Sequence, residues 1–136
     1  MKVFQAKTPK IGATKYAEVM KRARLIYGQV EKRTKRRPYI RSAYFDKEKI
    51  FFDYFWLHIN QKSRPERRRR LIFLSCATEL IEKSRLKPEV TKNPNKREEV
   101  LYRFTGKTPT GEEFAVQIKE DQKSRHKYLM SIFPLK

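Results

Sequence analysis

The amino-acid sequence predicts an α+β fold, in which a twisted antiparallel β-sheet packs on helices and a basic helical extension precedes the sheet. Residues 114–119 alternate apolar and polar side chains, and residues 127–133 form a second strand-like stretch after a charged turn. This pattern is typical of a half-buried β-hairpin. Residues 14–28 and 71–85 instead place apolar side chains three and four positions apart, which predicts amphipathic helices.

The chain is interpreted as an N-terminal extension, residues 1–37, followed by a main domain, residues 38–136. The first 13 residues include a proline and a glycine and are expected to be irregular. Thr14 is the predicted N-cap of a helix that ends near Gly28. The charged segment 31–38 is interpreted as a linker or a frayed helix end.

The main domain begins with two predicted strands, residues 39–45 and 49–53, on either side of a charged turn. Asp53 is then expected to cap a short helix over residues 54–60. A single strand that continues through Leu57 is the alternative, and the local pattern does not decide between the two.

The main helix has a defined start signal. Ser63 and Glu66 form a predicted capping box, with a proline between them in the first turn. The helix is expected to run to about residue 85, with Pro88 as its stop signal. A polar loop over residues 87–98 then leads into a predicted three-stranded antiparallel meander.

The register of the closing hairpin decides which side chains share the open face of the sheet. In one register Lys119 lies opposite Lys127. Its open face carries Gln117, Lys119, Lys127, Leu129 and Ser131. In the other, shifted by one residue, His126 and Tyr128 lie on that face and Ser131 turns inward. We prefer the first register because it buries more aliphatic surface.

The charge balance indicates an anionic partner. Lys and Arg number 34 against 15 Asp and Glu, which gives a formal net charge of +19. Such an excess suits a polyanion, and nucleic acid is the leading candidate because phosphate neutralisation releases counterions. The sequence contains neither a membrane-spanning apolar run nor a secretory signal. We therefore expect a cytoplasmic protein that does not bind a membrane.

The residue inventory limits the available chemistry. One cysteine and two histidines argue against a structural zinc site, and glycine-rich phosphate motifs are lacking. We therefore expect no metal and no cofactor. His, Lys, Arg and Ser are nevertheless sufficient for cleavage of RNA by its own 2′-hydroxyl, which requires proton transfer and phosphate stabilisation. The candidate catalytic residues are His58, His126, Lys119, Arg103 and Ser131.

Basic and aromatic side chains supply candidate contacts to nucleic acid. The candidate phosphate contacts are Arg36, Arg37, Arg67, Arg68, Arg69, Arg70, Lys123, Arg125 and Lys127. Tyr39, Tyr44 and Tyr102 are candidates for stacking on unpaired bases. The arginine run opens the main helix, so its backbone N–H groups also favour a phosphate.

The order of these elements resembles a known family over residues 38–134. An early strand precedes His58 in FWLHI, a helix follows, and the closing meander reads VLYRFTG, EEFAVQIKE and KYLMSIFP, with Ser131 in its last strand. This order resembles the barnase–EndoU–colicin–RelE superfamily of small ribonucleases, especially its phage and mobile-element members. The chain departs from that family in lacking a catalytic glutamate on the sheet and in its basic N-terminal extension.

The resemblance implies an RNA-binding, metal-independent, toxin-like endoribonuclease whose site lies on the open sheet face. It also implies an acidic antitoxin or immunity protein as a possible partner. The alternative is a non-catalytic module that binds DNA or structured RNA, which needs the same charge but neither histidine.

Overall fold

The computed structural model describes residues 3–92, 95–96 and 98–135. Within these residues the chain forms seven strands in one sheet and four helices that pack against it, which confirms the predicted α+β class. The elements are β1 (Phe4–Gln5), α1 (Tyr16–Lys32), β2 (Tyr39–Ser42), β3 (Glu48–Phe51), α2 (Phe55–Asn60), α3 (Arg64–Leu71), α4 (Leu74–Lys83), β4 (Glu89–Lys92), β5 (Glu99–Lys107), β6 (Glu113–Asp121) and β7 (Lys127–Pro134).

The sheet combines antiparallel and parallel pairings. Its strand order is β1-β5-β6-β7-β3-β2, and β4 pairs with β5 off this path. The meander of β5, β6 and β7 is antiparallel as predicted, whereas β3 joins β7 and β1 joins β5 in parallel. The pairing of β3 with β7 is short, and helices α2 and α3 also contact β7.

One hydrophobic core lies between the sheet and the helices. Val19 and Val30 of α1 belong to the same buried cluster as Phe114 of β6 and Leu80 of α4. Gly106 on β5 allows close packing there, because a Cβ would lie 2.6 Å from the Phe114 ring. Side chains from residues 1–37 and 38–136 thus share one core, and their division into two units stays a prediction.

Two expectations for the N-terminal region are wrong. The segment expected to be irregular contains β1, whose backbone pairs with the end of β5. Helix α1 runs past Gly28 to Lys32, and its N-cap position is Lys15 rather than Thr14, without a side-chain cap. Burial of Val30 explains the longer helix, because burying an aliphatic side chain contributes about 1.5–3 kcal/mol and a helical glycine costs about 1 kcal/mol.

Strands β2 and β3 confirm the first predicted hairpin, although both are shorter than expected. The turn between them places Asp46 and Lys47 at positive φ. Helix α2 confirms the predicted short helix and contradicts the continuous strand. Asp53 does not cap it: Tyr54 holds the N-cap position without a side-chain hydrogen bond. The Asp53 carboxylate instead accepts from the Arg37 guanidinium at 2.7 Å.

The predicted start of the main helix is confirmed. The Oγ of Ser63 accepts a hydrogen bond from the Glu66 N–H at 3.4 Å. The predicted single helix is wrong, however, because α3 ends at Leu71 and a new helix, α4, begins at Leu74.

The segment after α4 also differs from the prediction. Helix α4 ends at Lys83, before Pro88, and Ser84 takes an extended conformation at its C-cap. The predicted loop 87–98 contains β4, an exposed strand that pairs with β5. Positions 93, 94 and 97 of this loop lie outside the described residues.

The closing hairpin combines features of both predicted registers. Ser131 lies opposite Gln117, so the two share the open face, as in the first register. A bulge at Met130 then shifts the pairing by one residue, and Lys119 lies opposite Tyr128, as in the second. Tyr128 and Ser131 therefore both face outward.

The expected outward positions of Lys127 and Leu129 are wrong. Both side chains are buried, with 5% and 0% exposure. The bulge explains the error, because a one-residue shift moves every side chain beyond it to the opposite face.

Candidate functional site

A row of aromatic side chains crosses the open face of the sheet, which is turned away from α1 and α4. Tyr39 pairs with Phe51 between β2 and β3, and Phe51 pairs with Tyr128 between β3 and β7. Paired residues project to the same face, so these rings are neighbours, with centroids 5.9 and 6.1 Å apart and ring planes inclined by 72° and 43°. The Tyr54 ring extends the row, 4.9 Å from Tyr128. We call these four residues the aromatic platform.

Four cationic side chains lie over these rings. The distances to the ring centroid are 4.0 Å for Arg37 and Phe51, 4.7 Å for Lys49 and Tyr39, 4.5 Å for Lys119 and Tyr54, and 5.4 Å for Arg41 and Tyr39. All are within cation–π range. Arg37 is also bonded to Asp53, and Lys119 lies 3.1 Å from Glu99. The platform therefore combines aromatic surface with cations, two of which have a carboxylate partner.

His126 lies beside the platform. Its ring centroid is 5.7 Å from that of Phe51 and 6.4 Å from that of Tyr128. The side chain is exposed, and its backbone N–H donates to the Ser124 Oγ at 3.2 Å. The imidazole is thus accessible to a ligand on the open face.

His58 lies on α2 and is half-buried. Burial lowers the pKa of its imidazole, and the positive charges of Lys62 and Lys119 lower it further. The lowered pKa favours the uncharged imidazole, which is the form that can accept a proton. Ring contacts in the described part of the chain do not join His58 to His126.

Arg103 and Ser131 lie further along the open face. Both are paired with Gln117, from opposite sides of β6. The Arg103 guanidinium lies 5.3 Å from the Phe133 ring centroid, and Arg70 of α3 approaches the same ring at 5.7 Å. These side chains form a second group on the face. The candidate catalytic residues therefore do not converge on one point.

The arginine run of α3 does not form one surface. Arg67 donates to two backbone carbonyls and to a tyrosine hydroxyl of α1, and it thereby fixes the helix in place. Arg69 and Arg70 pair with Glu66, and the bond from Arg70 is the main cause of the lowered Glu66 pKa. Arg68 is half-buried and has no ion-pair partner among the described residues.

Lys127 is not available to a phosphate, which corrects its interpretation as a nucleic-acid contact. Its buried ammonium lies 2.7 Å from the Glu48 carboxylate and 3.3 Å from that of Glu120. Tyr102 donates to Glu120 at 3.0 Å, and burial together with this bond raises the pKa of Tyr102 to about 12. Tyr44 packs inward against the core as well. Neither tyrosine presents a ring for base stacking.

The remaining candidate contacts lie in exposed segments. Arg36 borders a cavity of about 530 Å³ beside the platform. Lys123 and Arg125 belong to the turn between β6 and β7, and they lie 3.5 Å from carboxylate oxygens of Glu98 and Glu120, respectively. Arg36 therefore lies next to the platform, whereas Lys123 and Arg125 pair with carboxylates at the β6–β7 turn.

Sequence reasoning selects Tyr39 as a candidate for base stacking but does not select Phe51 or Tyr54. It places Tyr128 on the open face only in the less favoured register. The missing information is the parallel pairing of β3 with β7, which joins segments that are distant in the chain. A local signal existed in the alternation of Lys49 and Phe51, which share one face of β3.

Comparisons with protein-family models, curated proteins and solved structures found no match. The resemblance to small ribonucleases therefore stays an expectation from the sequence. Among the described residues, no group of three or more His, Cys, Asp or Glu is arranged to hold a metal ion. None of the helices in this part of the chain is long and apolar enough to cross a membrane.

Proposed function

We propose that this protein binds single-stranded RNA on the open face of its sheet, in the cytoplasm. The aromatic platform, with its cations, carries the proposal. Unpaired bases stack on exposed aromatic rings, while Lys and Arg neutralise the neighbouring phosphates. The net charge of +19 supports the same partner.

A bound base has to replace a cation that now lies over a ring. Arg37 over Phe51 is the closest of these contacts, at 4.0 Å. An exposed cation–π contact contributes about 0.5–1 kcal/mol, whereas a base–aromatic stack contributes about 1–3 kcal/mol. The exchange is therefore favourable, and the displaced cation stays close to the phosphate that follows the base.

The Tyr54→Ala variant tests this proposal through its affinity for a single-stranded RNA oligonucleotide. We expect affinity to fall by about 5- to 150-fold, because one stack is lost. Leu57→Ala is the matched control, since Leu57 is 58% exposed on the adjoining helix and lies outside the platform. Unchanged affinity of Tyr54→Ala would contradict binding on the platform.

Cleavage of the bound RNA is a second candidate function, favoured by the environment of His58. An uncharged imidazole accepts the 2′-hydroxyl proton, and the 2′-oxygen attacks the adjacent phosphorus as the bond to the 5′-oxygen breaks. Lys119, whose charge acts on His58, stabilises the phosphate charge once it is released from Glu99. The leaving oxygen takes its proton from water or, where the strand carries the phosphate over Phe51, from His126. Arg103 and Ser131 lie too far along the face to join this group, so they are candidate contacts to the strand.

Incubation of RNA oligonucleotides with the protein in EDTA tests the second candidate. We expect products with 2′,3′-cyclic phosphate ends, and a fall in rate of about 10²- to 10⁴-fold in His58→Gln without loss of RNA affinity. Intact RNA that is nevertheless bound would leave binding alone as the function. Cleavage that persists in a His58→Gln, His126→Gln double variant would contradict the assigned roles.

A further inference from the structure

A cavity of about 450 Å³ lies beyond Tyr39, at the edge of the sheet. It is bordered by the C-terminal ends of α1 and α4, by β2 and by the turn after β2. We call it the arginine cavity, and its charged and aromatic lining consists of Arg33, Tyr39, Arg41, Lys47, Glu82 and Arg85. Its volume is typical of sites that bind small molecules.

Positive charge dominates the arginine cavity, with four cationic side chains and one carboxylate in its lining. Glu82 lies 3.8 Å from Arg33, and Arg41 donates to a backbone carbonyl at 2.9 Å. Arg85 has no ion-pair partner in the described part of the chain, and its side chain is exposed. Its guanidinium is therefore free to bind an anion.

The nearby helix ends do not account for all of this charge. Helices α1 and α4 both end close to the cavity, and the carbonyls of each helix end carry about half a negative charge. Together they offset about one of the three excess positive charges. A remaining excess of about two matches a phosphate monoester, which carries about −1.5 to −2 at neutral pH.

The arginine cavity adjoins the aromatic platform. Arg33, Thr34 and Tyr39 line both this cavity and the cavity of about 530 Å³ that continues to Arg37 and Phe51. A strand that crosses the platform toward β2 therefore reaches the arginine cavity at the edge of the sheet.

We propose that the arginine cavity binds the terminal phosphate monoester of a nucleotide, an inference that rests on the proposed RNA-binding function. The phosphate comes either from the end of the strand on the platform or from a free nucleoside monophosphate. Arg85 and Arg41 contact the phosphate, and Tyr39 borders the nucleoside. An internal phosphodiester fits less well, because it carries one negative charge and must continue in both directions.

The test uses three RNA oligonucleotides of one sequence, with a 5′-phosphate, a 3′-phosphate or hydroxyl groups at both ends. One phosphorylated form is expected to bind the wild-type protein at least about tenfold more tightly than the hydroxyl form. Arg85→Gln is expected to abolish this gain. Lys83→Gln is the matched control, because it removes a positive charge near the end of the same helix but outside the cavity. This variant should retain the gain in affinity.

Titration with 5′- and 3′-adenosine monophosphate separates the two sources. If the wild-type protein binds a mononucleotide saturably and Arg85→Gln does not, the ligand of the cavity is a free nucleotide. If only the phosphorylated oligonucleotides gain affinity, the ligand is the end of a strand. Equal affinity for all three oligonucleotides, with no binding of the mononucleotides, overturns the cavity inference and leaves RNA binding in place. Failure of all three oligonucleotides to bind overturns the proposed function as well.

Discussion

Lys127 and Glu120 form an ion pair in the protein interior, to which Glu48 and Tyr102 are also bonded. The Lys127 and Glu120 side chains are only 6% and 5% exposed. Removal of such charges from water costs several kcal/mol each, and the cost is offset only while both partners are present. Because the four residues come from β3, β5, β6 and β7, the cluster favours one arrangement of these strands.

Lys127→Met is expected to destabilise the protein by about 3–5 kcal/mol, because it removes the only buried cation beside the Glu120 carboxylate among the described residues and leaves it with the exposed Arg125 guanidinium, 3.5 Å away. Urea denaturation measures the change. Lys123→Met is the control: its exposed ammonium pairs with Glu98, and its loss should cost less than about 1 kcal/mol. Equal stability of the two variants would contradict a structural role for the buried pair.

His58 is expected to titrate below the ordinary histidine pKa of 6.5. The unfolded chain then binds the proton more readily than the folded chain. The contribution to stability is complete above pH 6.5 and falls as pH decreases from 6.5 to the lower folded pKa. Titration by NMR measures this value, and Lys119→Met should raise it by removing a nearby charge. A folded pKa at or above 6.5 would contradict the described environment.

Sequence reasoning at the residue scale identifies side-chain chemistry better than side-chain surroundings. It selects His58 and Lys119 separately, and the fold brings the Lys119 charge close enough to lower the His58 pKa. It also selects Lys127, which is buried. Lys119 and Lys127 belong to one hairpin, and the bulge at Met130 places them on opposite faces of the sheet. No feature of the local composition marks that bulge.

At the scale of elements, strand β7 determines which groups can meet on the open face. Residues three apart on a regular strand face opposite sides. The bulge at Met130 places Tyr128 and Ser131 on the same side. Strand β7 therefore contributes Tyr128 to the platform at one end and Ser131 to the second group, which contains Arg103, at the other.

The close approach of β5 to α4 gives a prediction at this scale. Gly106→Ala is expected to destabilise the protein by about 1–3 kcal/mol, since its Cβ would lie 2.6 Å from the Phe114 ring and 2.8 Å from Leu80. Gly28→Ala is the control. Its Cβ meets no atom within 4 Å in the interior of α1, and it should stabilise the protein by about 0.5–1 kcal/mol. Chemical denaturation should therefore show a lower free energy of unfolding for Gly106→Ala and a higher one for Gly28→Ala. Changes of the same sign in the two variants would contradict this packing.

The elements predicted from sequence are those with a local signal. Alternating side chains identify β6, and the hydroxyl of Ser63 identifies the start of α3. Strands β1 and β4 are short and lie beside β5, so their existence depends on its backbone groups rather than on their own pattern. The break between α3 and α4 likewise lacks a proline or glycine to predict it.

At the scale of the whole molecule, the two faces of the sheet carry different sets of side chains. The inner side holds the shared core and the buried Lys127–Glu120 pair. The open side holds the aromatic platform, which adjoins the arginine cavity at the β2 edge. Composition alone predicts an anionic partner, but the location of a site depends on the long-range pairing of β3 with β7.

Photochemical crosslinking tests the location of RNA binding most directly. A thiouridine-containing single-stranded RNA is bound to the wild-type protein and irradiated, and the modified residues are identified by mass spectrometry. We expect crosslinks at Phe51, Tyr54 and Tyr128, whose rings belong to the platform. Crosslinks confined to the exposed side of α1, around Leu25, or the absence of any RNA complex would contradict it.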